Sequence, residues 1–321
     1  MQILQLLSDG NIHSGERLGE VLGISRAAVW KQIDALRKKG LEVEVIPGKG
    51  YRLPRTVEAW NRERLLESIA PTYRGLLADV VIEEVTTSTN DVVAARLRDD
   101  PAGAVVCLAE EQTAGRGRRG REWFSPWGRS FYGSLGWIFP EGIAALEGLS
   151  LAIGVAVVRA LKRQGVEGAQ LKWPNDLVVG EAKLGGILIE VQAEAGGPCQ
   201  AIIGLGLNLE LPPDSSERLG RPVADVKALV GRTIERNRLG GIIIEEILRL
   251  LQDYSRQRFE SVRAEWQALD SLQGQRVEVS GLAQPVEGIA RGVDEHGALL
   301  VETPEGIQRV QAGEVSLRKQ P

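Results

Sequence analysis

Three strand-like stretches lie close together in the middle of the chain, and they constrain the fold more than any other feature. They read QLKWPNDLVV (170–179), AKLGGILIEV (182–191) and QAIIGLGLNLE (200–210), with short turns between them. Other strand-like runs, at 80–85, 104–110 and 131–139, alternate with helical patterns at 90–98, 143–164 and 242–259. Strands that outnumber helices and come in hairpin-length pairs favour an α+β fold with a mixed or antiparallel central sheet over a doubly wound parallel sheet.

The composition excludes several classes of protein. At 321 residues the chain is long enough for two or three domains, and no apolar run reaches the ~18 residues that span a bilayer. Its start lacks the basic and long apolar regions of a signal peptide. Cys107 and Cys199 are far apart, and His13 and His296 are the only histidines. We therefore expect a cytoplasmic protein without membrane association and without a Cys/His metal site.

The front of the chain differs in charge from the rest. Residues 1–55 carry nine Lys and Arg against six Asp and Glu, whereas the remainder carries 30 against 37, which suggests an anionic partner for the front. Two short helices, capped by Ser14 and Ser25 and joined by LGIS, precede a hairpin with Lys49 in its turn. This order predicts a winged helix-turn-helix; a small helical bundle and a protein-docking winged helix are the alternatives.

The second helix and the hairpin favour DNA as the partner. Small, polar and cationic side chains lie off the apolar stripe near the N-terminus of that helix, the part that reaches base edges in the major groove. The predicted DNA-binding residues are Gly15, Ser25, Arg26, Ala27, Trp30, Lys31 and, at the tip of the wing, Lys49. One such module reads few base pairs, so useful specificity requires a dimer on a two-fold-related site.

Residues 112–123 read QTAGRGRRGREW and formally match G-x-G-x-x-G, with arginine at every x position. A dinucleotide-binding turn opens a helix, whereas here the glycines run into REWFSP, and Pro126 and Gly128 predict a loop. The chain contains no GxxxxGK[ST] motif. A solvated basic loop is the plain alternative, but the density of Arg and Gly directly after a strand favours a mobile loop that covers a bound anion.

Four other stretches have patterns typical of a ligand site: TTSTND (86–91), KWPND (172–176), KLGGILIE (183–190) and GLGLN (204–208). The first offers hydroxyls at a helix N-terminus, and the second places a cation, an amide and a carboxylate on one turn. The glycines of the other two allow close approach of a ligand. An N-cap, a β-turn and a strand bulge explain each of them separately, but together they predict one site.

The chain resembles the bacterial bifunctional biotin–protein ligases that also repress the biotin operon. The resemblance covers essentially the whole chain and rests on HSGERLGEVLGISRAAVWK (13–31), IPGKGY (46–51), STN (88–90), AGRGRRGREWFSP (114–126), LKWPNDL (171–177), KLGGILIE (183–190) and IGLGLNL (203–209). It implies a winged helix-turn-helix domain at 1–54, a class II synthetase-like ligase domain at 55–270 and a small SH3-like β-barrel at 271–321. Residues 209–240 match the family pattern poorly, so the resemblance implies no particular ligand contact there.

The resemblance implies that biotin is activated with ATP and Mg²⁺ to biotinyl-5′-AMP and then transferred to one lysine of a biotin carboxyl carrier protein. A carboxylate that attacks an anionic α-phosphate requires cations to offset the repulsion. The implied catalytic residues are Lys172, Lys183, Arg118 and Asp176, the last also as the Mg²⁺ ligand. The implied biotin-binding residues are Ser88, Thr89, Asn90, Gln112, Arg116, Gly117, Arg118, Lys183, Gly185 and Gly186. The implied nucleotide-binding residues are Arg118, Arg121, Trp123, Lys172, Asn175 and Asn208.

The resemblance also implies a switch, in which the adenylate favours a homodimer that binds operator DNA of the biotin genes. Three alternatives remain open: a lipoate–protein ligase with the same fold and adenylation chemistry, a biotin-sensing transcription factor without ligase activity, and a ligase with a vestigial DNA-binding module. The GRGRRG and KWPND motifs argue against the first. The presence of Lys172, Lys183, Asp176 and Arg118 argues against the second.

Overall fold

The structure is a computed structural model of the chain and describes residues 2–38, 41–54, 58–99, 102–193, 197–281, 284–312 and 316–319. Three units follow one another along the chain: a small helical module with a two-stranded hairpin, a large domain around a seven-stranded sheet, and a five-stranded antiparallel module. Within these described ranges, no helix is both long and apolar enough to cross a membrane.

The front module has the predicted order of elements: α1 (Gln2–Leu7), α2 (Gly15–Leu22), α3 (Arg26–Lys38), and a hairpin of β1 (Glu44–Ile46) and β2 (Gly50–Arg52). The hydroxyls of Ser14 and Ser25 accept the backbone N–H groups of Arg17 and Ala28 at 3.1 and 3.2 Å, so both predicted N-caps are confirmed. The helices share one apolar core, which includes Ile3, Leu18, Val29, Ile33 and Leu36. Gly40, which the sequence predicts as the C-cap of α3, lies outside the described residues.

The sheet of the large domain is mixed, as predicted. Its strands are β3 (Leu77–Thr86), β4 (Ala104–Gln112), β5 (Ser130–Phe139), β6 (Gln170–Lys172), β7 (Asp176–Val179), β8 (Ala182–Ala193) and β9 (Cys199–Asn208). They lie in the order β3-β4-β5-β9-β8-β7-β6, with β3 and β4 parallel and the other described neighbours antiparallel. The first of the three central stretches is itself a hairpin, because the turn within KWPND separates β6 from β7.

The described helices of this domain are α4 (Arg62–Glu67), α5 (Pro71–Arg74), α6 (Thr89–Leu97), α7 (Leu149–Arg163), α8 (Ser215–Leu219), α9 (Val226–Val230), α10 (Arg236–Gln257) and α11 (Glu260–Leu269). The predicted helix at 143–164 is wrong at its start, where a 3₁₀ turn over Ile143–Leu146 precedes Gly148 at φ +69°. A right-handed helix cannot pass through that left-handed conformation, so α7 begins only at Leu149.

The side chains of β4 alternate between the two faces of the sheet. Val106 and Leu108 belong to the main core, against which α7 and α10 pack, and those two helices also contact each other. Val105 and Cys107 point the other way and pack with Val93 of α6. Helices on both faces therefore bury this part of the sheet, and α6 holds its N-terminus at the sheet end where the loop after β4 begins.

The C-terminal module contains β10 (Arg276–Ser280), β11 (Val286–Val293), β12 (Leu299–Thr303), β13 (Gly306–Val310) and β14 (Ser316–Lys319). All described pairs are antiparallel, in the order β13-β12-β11-β10-β14, which agrees with the predicted small SH3-like unit. Its turn at Gly297 contacts the large domain: Trp173 Nε1 donates to the Gly297 carbonyl at 3.1 Å. A Cβ at Gly297 would lie 3.0 Å from Gly148 Cα, so the contact requires glycine.

The front module and the segment that connects it both contact the large domain. Trp127 is 4% exposed and belongs to the same apolar cluster as Leu53 of the front module. In the connecting segment, the backbone N–H of Trp60 donates to Glu110 Oε1 at 2.6 Å. The guanidinium of Arg236 lies 4.4 Å from the Trp60 ring and donates to Glu110 Oε2 at 2.9 Å. The buried Glu110–Arg236 pair thus holds the connecting segment against the end of β4.

Candidate active site

A cavity of about 500 Å³ is lined by the start of α6, the loop after β4, the β6–β7 hairpin, β8 and β9. Its volume is in the range of small-molecule sites. It brings together most of the predicted site residues: Ser88, Thr89, Asn90, Gln112, Arg116, Gly117, Arg118, Arg121, Trp123, Lys172, Asn175, Asp176, Lys183 and Gly186. Gly185 and Asn208 are not among the residues that line it.

One end of the cavity is a polar cluster at the start of α6. The backbone N–H and the hydroxyl of Thr89 donate to Gln112 Oε1 at 2.9 and 3.2 Å. Asn90 Nδ2 donates to Glu190 Oε2 at 2.8 Å. Ser134 Oγ lies 2.5 Å from Asn90 Oδ1 and 2.7 Å from Thr89 Oγ1. Hydrogen bonds fix these groups in place, so they offer a ligand head group donors and acceptors at set positions.

Ser88 occupies the N-cap position of α6, but its hydroxyl makes no capping hydrogen bond, contrary to the predicted cap. The side chain is 4% exposed and lines the cavity, so the hydroxyl is not used by the helix.

The glycines of the sheet make room for side chains in the cavity. A Cβ on Gly204 would lie 2.5 Å from Asn90 Oδ1, and one on Gly206 would lie 2.3 Å from Trp123 Cε2. At Gly185 a Cβ would lie 2.8 Å from the Gly206 carbonyl oxygen, so this glycine serves the close approach of β8 to β9. The predicted close approach of a ligand thus applies to Gly186, which lines the cavity, and not to Gly185.

The loop after β4 is held at its first arginine. Arg116 Nη2 donates to Asp91 Oδ1 at 2.6 Å, Nη1 donates to Asp91 Oδ2 at 3.2 Å, and Glu190 Oε2 lies 3.4 Å away. The Arg116 guanidinium holds the pKa of Asp91 below its usual range. An isolated antiparallel β-bridge between the backbones of Arg116 and Glu122 closes the loop. The loop encloses a 3₁₀ turn, in which Arg119 has φ +60°. Arg116, which the sequence predicts to contact the ligand, therefore forms ion pairs with protein carboxylates.

The cationic end of the cavity is formed by the β6–β7 hairpin, the start of β8 and the loop. Lys183 Nζ pairs with Asp176 Oδ1 at 2.6 Å, and Arg118 Nη1 donates to Asn175 Oδ1 at 3.2 Å. Asn175 Nδ2 in turn donates to the Ile187 carbonyl at 2.7 Å. Burial lowers the pKa of Lys183 and of Arg118, and the Asp176 carboxylate opposes both shifts. Partly desolvated cations of this kind suit an anionic ligand.

Trp123 lies across the glycines of the sheet, beside this cationic end. Lys183 Nζ is 5.3 Å from the centre of its ring, and a Cβ on Gly186 would lie 3.2 Å from Trp123 Cζ3. The indole Nε1 is buried without a hydrogen-bond partner among the described residues. An aromatic ring at the cavity wall offers a stacking surface for a planar base.

Asn208 has a structural contact that the sequence does not indicate. Its Nδ2 donates to the carbonyls of Lys183 and Ala224 at 3.2 and 3.0 Å, and it lines a small neighbouring cavity with Trp123. The predicted nucleotide-binding amide therefore fastens residues 221–224 to β8.

Sequence reasoning missed Ser134, Glu190 and Arg221. Glu190 follows Gly186 at an even spacing along β8, so a period-two reading of the KLGGILIE motif indicates its face. Ser134 is similarly positioned on β5, opposite Gly204. Arg221 lies in the segment that matches the family pattern poorly, and no local pattern marks it as a cavity residue.

Among the residues that the structure describes, no group of three or more His, Cys, Asp or Glu side chains is placed to hold a metal ion. The predicted Mg²⁺ ligand Asp176 lines the cavity together with Glu122 and Glu181.

The predicted DNA-binding residues form an exposed face, with one exception. Exposed residues are Ser25, Arg26, Ala27, Trp30, Lys31 and Lys49, and Trp30 is 58% exposed. Gly15 is buried, and a Cβ there would lie 3.3 Å from the Tyr51 ring. Its position thus serves the packing of α2 against the hairpin.

Comparison with known proteins agrees with this architecture. Residues 82–208 match the model of the biotin/lipoate A/B protein ligase family, residues 1–52 an HTH domain, and residues 273–318 the biotin protein ligase C terminal domain. The bifunctional ligase/repressor BirA of Escherichia coli (strain K12) is 36% identical over 318 residues, 99% of this chain and 97% of the relative. The protein of the same name from Bacillus subtilis (strain 168) is 30% identical over 308 residues, 95% and 93% of the two chains.

Among solved structures, the biotin protein ligase from Aquifex aeolicus in complex with biotin and ATP superposes with a TM-score of 0.64 at 26% identity. The match covers 75% of this chain and 99% of that one. The chain belongs to the biotin–protein ligase family. Because the similarity extends through the winged helix, it is a BirA-like bifunctional ligase/repressor within that family.

Proposed function

We propose that the protein activates biotin with ATP to biotinyl-5′-AMP, transfers the biotinyl group to a lysine of a biotin carboxyl carrier protein, and represses biotin genes through its winged helix. The observation that carries the proposal is one cavity with two chemically different ends, the polar cluster at Thr89 and Gln112 and the cations Arg118 and Lys183. The relatives named BirA and the Aquifex aeolicus ligase bound to biotin and ATP support it. The domain boundaries at 54 and 270 are part of the proposal.

In the first half-reaction, a carboxylate oxygen of biotin bonds to the α-phosphorus of ATP. The bond from that phosphorus to the bridging oxygen breaks, and pyrophosphate leaves. Both reactants are anions, so Lys172, Lys183 and Arg118 stabilise the charge that builds up between them. The polar cluster at Thr89 and Gln112 holds the ureido ring and so orients the carboxylate.

In the second half-reaction, the amine of the carrier lysine attacks the acyl carbon of the mixed anhydride. AMP leaves, and the nitrogen loses a proton, so that an amide remains. Water would hydrolyse the anhydride, and the loop that contains Arg118 covers it. Trp123 offers its ring to the adenine, and Asn175 holds Arg118 in position.

Mg²⁺ is part of the proposal. This ion usually takes one or two protein carboxylates and is otherwise held by phosphates and water. Asp176 fits that requirement, because its side chain is 29% exposed at the cavity wall beside Lys183. When bound, the ion supplies positive charge to the phosphates.

The repressor function depends on the winged helix and on a second copy of the chain. Exposed Arg26, Lys31 and Lys49 are suited to phosphate and base contacts. We include in the proposal that the adenylate-bound chain forms a homodimer, which presents two winged helices to operator DNA of the biotin genes. Both cysteines are free and buried, in keeping with the proposed cytoplasmic location.

Incubation with biotin, ATP, Mg²⁺ and a biotin carboxyl carrier domain tests the ligase activity. We expect one labelled lysine, detected by streptavidin blot and mass spectrometry, and no label when that lysine is replaced by arginine. Lipoylation in place of biotinylation would identify a lipoate ligase. Biotin binding without carrier labelling would favour a pure sensor. Ligase activity without a gel shift on the biotin genes would favour a vestigial DNA-binding module.

A further inference from the structure

Seven cationic side chains and three carboxylates line the cavity, and the cations differ in whether the protein already neutralises them. Arg116 is paired with Asp91 and Glu190, and Lys183 is paired with Asp176. Three of the seven cations make no side-chain hydrogen bond or ion pair within the described part of the chain. They are Arg121, Lys172 and Arg221. Arg121 and Lys172 belong to motifs of the family, whereas Arg221 does not.

The backbone fixes Arg221 next to Lys183. The Lys183 N–H donates to the Pro222 carbonyl at 3.1 Å, and the Ala224 N–H donates to the Lys183 carbonyl at 2.9 Å. Asn208 Nδ2 donates to the carbonyls of both Lys183 and Ala224. Arg221 therefore directly precedes a stretch that is bonded to the start of β8, and it is among the residues that line the cavity.

Arg221 and Lys183 are like charges, and Arg221 contributes to the lowered pKa of Lys183. The Asp176 carboxylate is paired with Lys183 at 2.6 Å, whereas Arg221 makes no ion pair among the described residues. Two cations at one wall of the cavity, of which only Lys183 is paired with a carboxylate, leave an excess of positive charge that an anionic ligand would offset.

We propose that Arg221 binds the β- and γ-phosphates of ATP and stabilises the departing pyrophosphate. The inference rests on the proposed adenylation. In that reaction Arg118 and Lys183 act at the α-phosphate, which stays with biotin, so a separate cation is needed where the leaving group gathers charge. A guanidinium is suited to that task, because its planar fork binds phosphate oxygens in pairs.

The test compares the full-length protein with Arg221→Ala and Arg221→Lys in biotin-dependent ATP–pyrophosphate exchange. For Arg221→Ala we expect the KM for ATP and the KM for pyrophosphate to rise roughly 10- to 100-fold, the range for loss of a charge-assisted contact. Arg221→Lys keeps the charge without the fork and is expected to lose roughly 3- to 10-fold. The Kd for biotin and the rate of carrier labelling from synthetic biotinyl-5′-AMP are expected to stay within about twofold.

Arg232→Ala is the matched control, because Arg232 lies in the same family-variable segment and donates to the Gln164 carbonyl away from the cavity. It removes the same charge and is expected to leave both KM values unchanged. Equal KM values for native protein and Arg221→Ala would overturn the inference while leaving the exchange activity of the native protein intact. An equal loss in labelling from biotinyl-5′-AMP would place Arg221 on the retained phosphate and would also overturn it. If Arg221→Ala fails to fold, Arg221→Lys decides by the same two measurements. Native protein without biotin-dependent exchange would instead count against the proposed function.

Discussion

At the scale of single residues, the arginines of the loop have different tasks. The sequence presents them as one basic cluster, but Arg116 is bound to Asp91 and Glu190, whereas Arg118 faces the cavity with its Nη1 on Asn175. Two carboxylates neutralise the charge of Arg116, so it attracts an anionic ligand only weakly. Its ion pairs instead position the chain that follows. The Arg118 Nη1 donates to the neutral Asn175 amide, and Arg118 is among the residues that line the cavity.

Arg118→Gly is expected to release biotinyl-5′-AMP, because the variant lacks the cation that we propose retains its phosphate. Free adenylate acylates exposed lysines without selection, so bystander proteins in the reaction should become biotinylated. Mass spectrometry of labelled lysines on serum albumin added to the assay measures this effect. Arg118→Lys keeps the charge and is expected to leak less. Retention and carrier selectivity equal to those of the native protein would contradict the assigned role.

Asp270 provides a test by pH. Burial raises its pKa to about 6, and one carboxylate oxygen has no described partner. The other oxygen accepts the Leu272 N–H at 2.9 Å, which opposes the shift. A carboxyl whose pKa is higher in the folded state than its ordinary 3.8 stabilises the fold only while protonated. The contribution of Asp270 to the free energy of unfolding should therefore fall as the pH rises from about 4 to about 6.

Asp270→Asn removes the titration and keeps an oxygen for Leu272. The variant is expected to gain on the order of 2–3 kcal/mol relative to the native protein between pH 4 and pH 7, whatever constant offset the amide introduces. Urea unfolding of both proteins across this range measures the difference. Parallel stability curves would show that Asp270 ionises in the folded protein as it does in the unfolded chain.

At the scale of elements, the loop after β4 begins and ends at buried residues that also contact the front module or its connecting segment. Glu110, near the end of β4, binds the connecting segment through Trp60 and accepts the Gly128 N–H at its carbonyl, at 3.0 Å. Trp127 directly precedes Gly128 at the end of the loop, and its side chain belongs to the apolar core of the winged helix. The loop and the DNA-binding module are therefore attached to the same short stretches of backbone.

Trp127→Ala is expected to loosen the front module, because replacing a buried tryptophan by alanine costs about 3–5 kcal/mol. The connecting segment at 54–61 should be cleaved faster by a protease, and the affinity for operator DNA should fall. Trp127→Phe retains most of the apolar volume and is expected to lie between the two. Trp30→Ala, which removes an exposed tryptophan from the same module, serves as the control for proteolysis. Equal cleavage of native protein and Trp127→Ala would show that this contact does not hold the module.

At the scale of the whole molecule, the protein joins a basic front to a body that is acidic except around its cavity. The polar cluster and the cations of the cavity suit a small anionic ligand, while Arg26, Lys31 and Lys49 are exposed on the front module, as the proposed contact with DNA requires. The proposed repressor requires that occupancy of the first site change the second, and a ligand achieves this only if it favours one assembly state over the other.

Affinity for a DNA fragment from the biotin genes is expected to rise when biotin and ATP are added together, and not with either alone. It should also fall steeply with salt, since cations of the wing and helix release counterions from the phosphates. Lys49→Ala should lower the salt slope by about one. Fluorescence anisotropy at several salt concentrations measures both effects, with sedimentation to report the oligomeric state. Equal affinity with and without the adenylate would contradict the switch.

The sequence by itself determined the order of elements and most of the site. Caps at Ser14 and Ser25, the hairpin around Lys49 and the KWPND turn depend on residues a few positions apart, and local patterns report such interactions directly. The glycine and arginine motifs likewise indicated which segments meet, and 14 of the predicted residues do line one cavity.

Only the tertiary structure decided which partner each of these side chains has. Arg116 donates a hydrogen bond to Glu190, which is 74 positions away in the sequence. The side-chain amide of Asn208 donates to backbone carbonyls, and Gly15 is buried against Tyr51. Helix α7 begins only at Leu149 because Gly148 has φ +69°, and Phe259 leaves no room there for any residue but glycine. Arg221 lines the cavity beside Lys183 because the residues after it, Pro222 and Ala224, form backbone hydrogen bonds with Lys183. Contacts between distant positions depend on the packing of the whole chain, so no local pattern carries them.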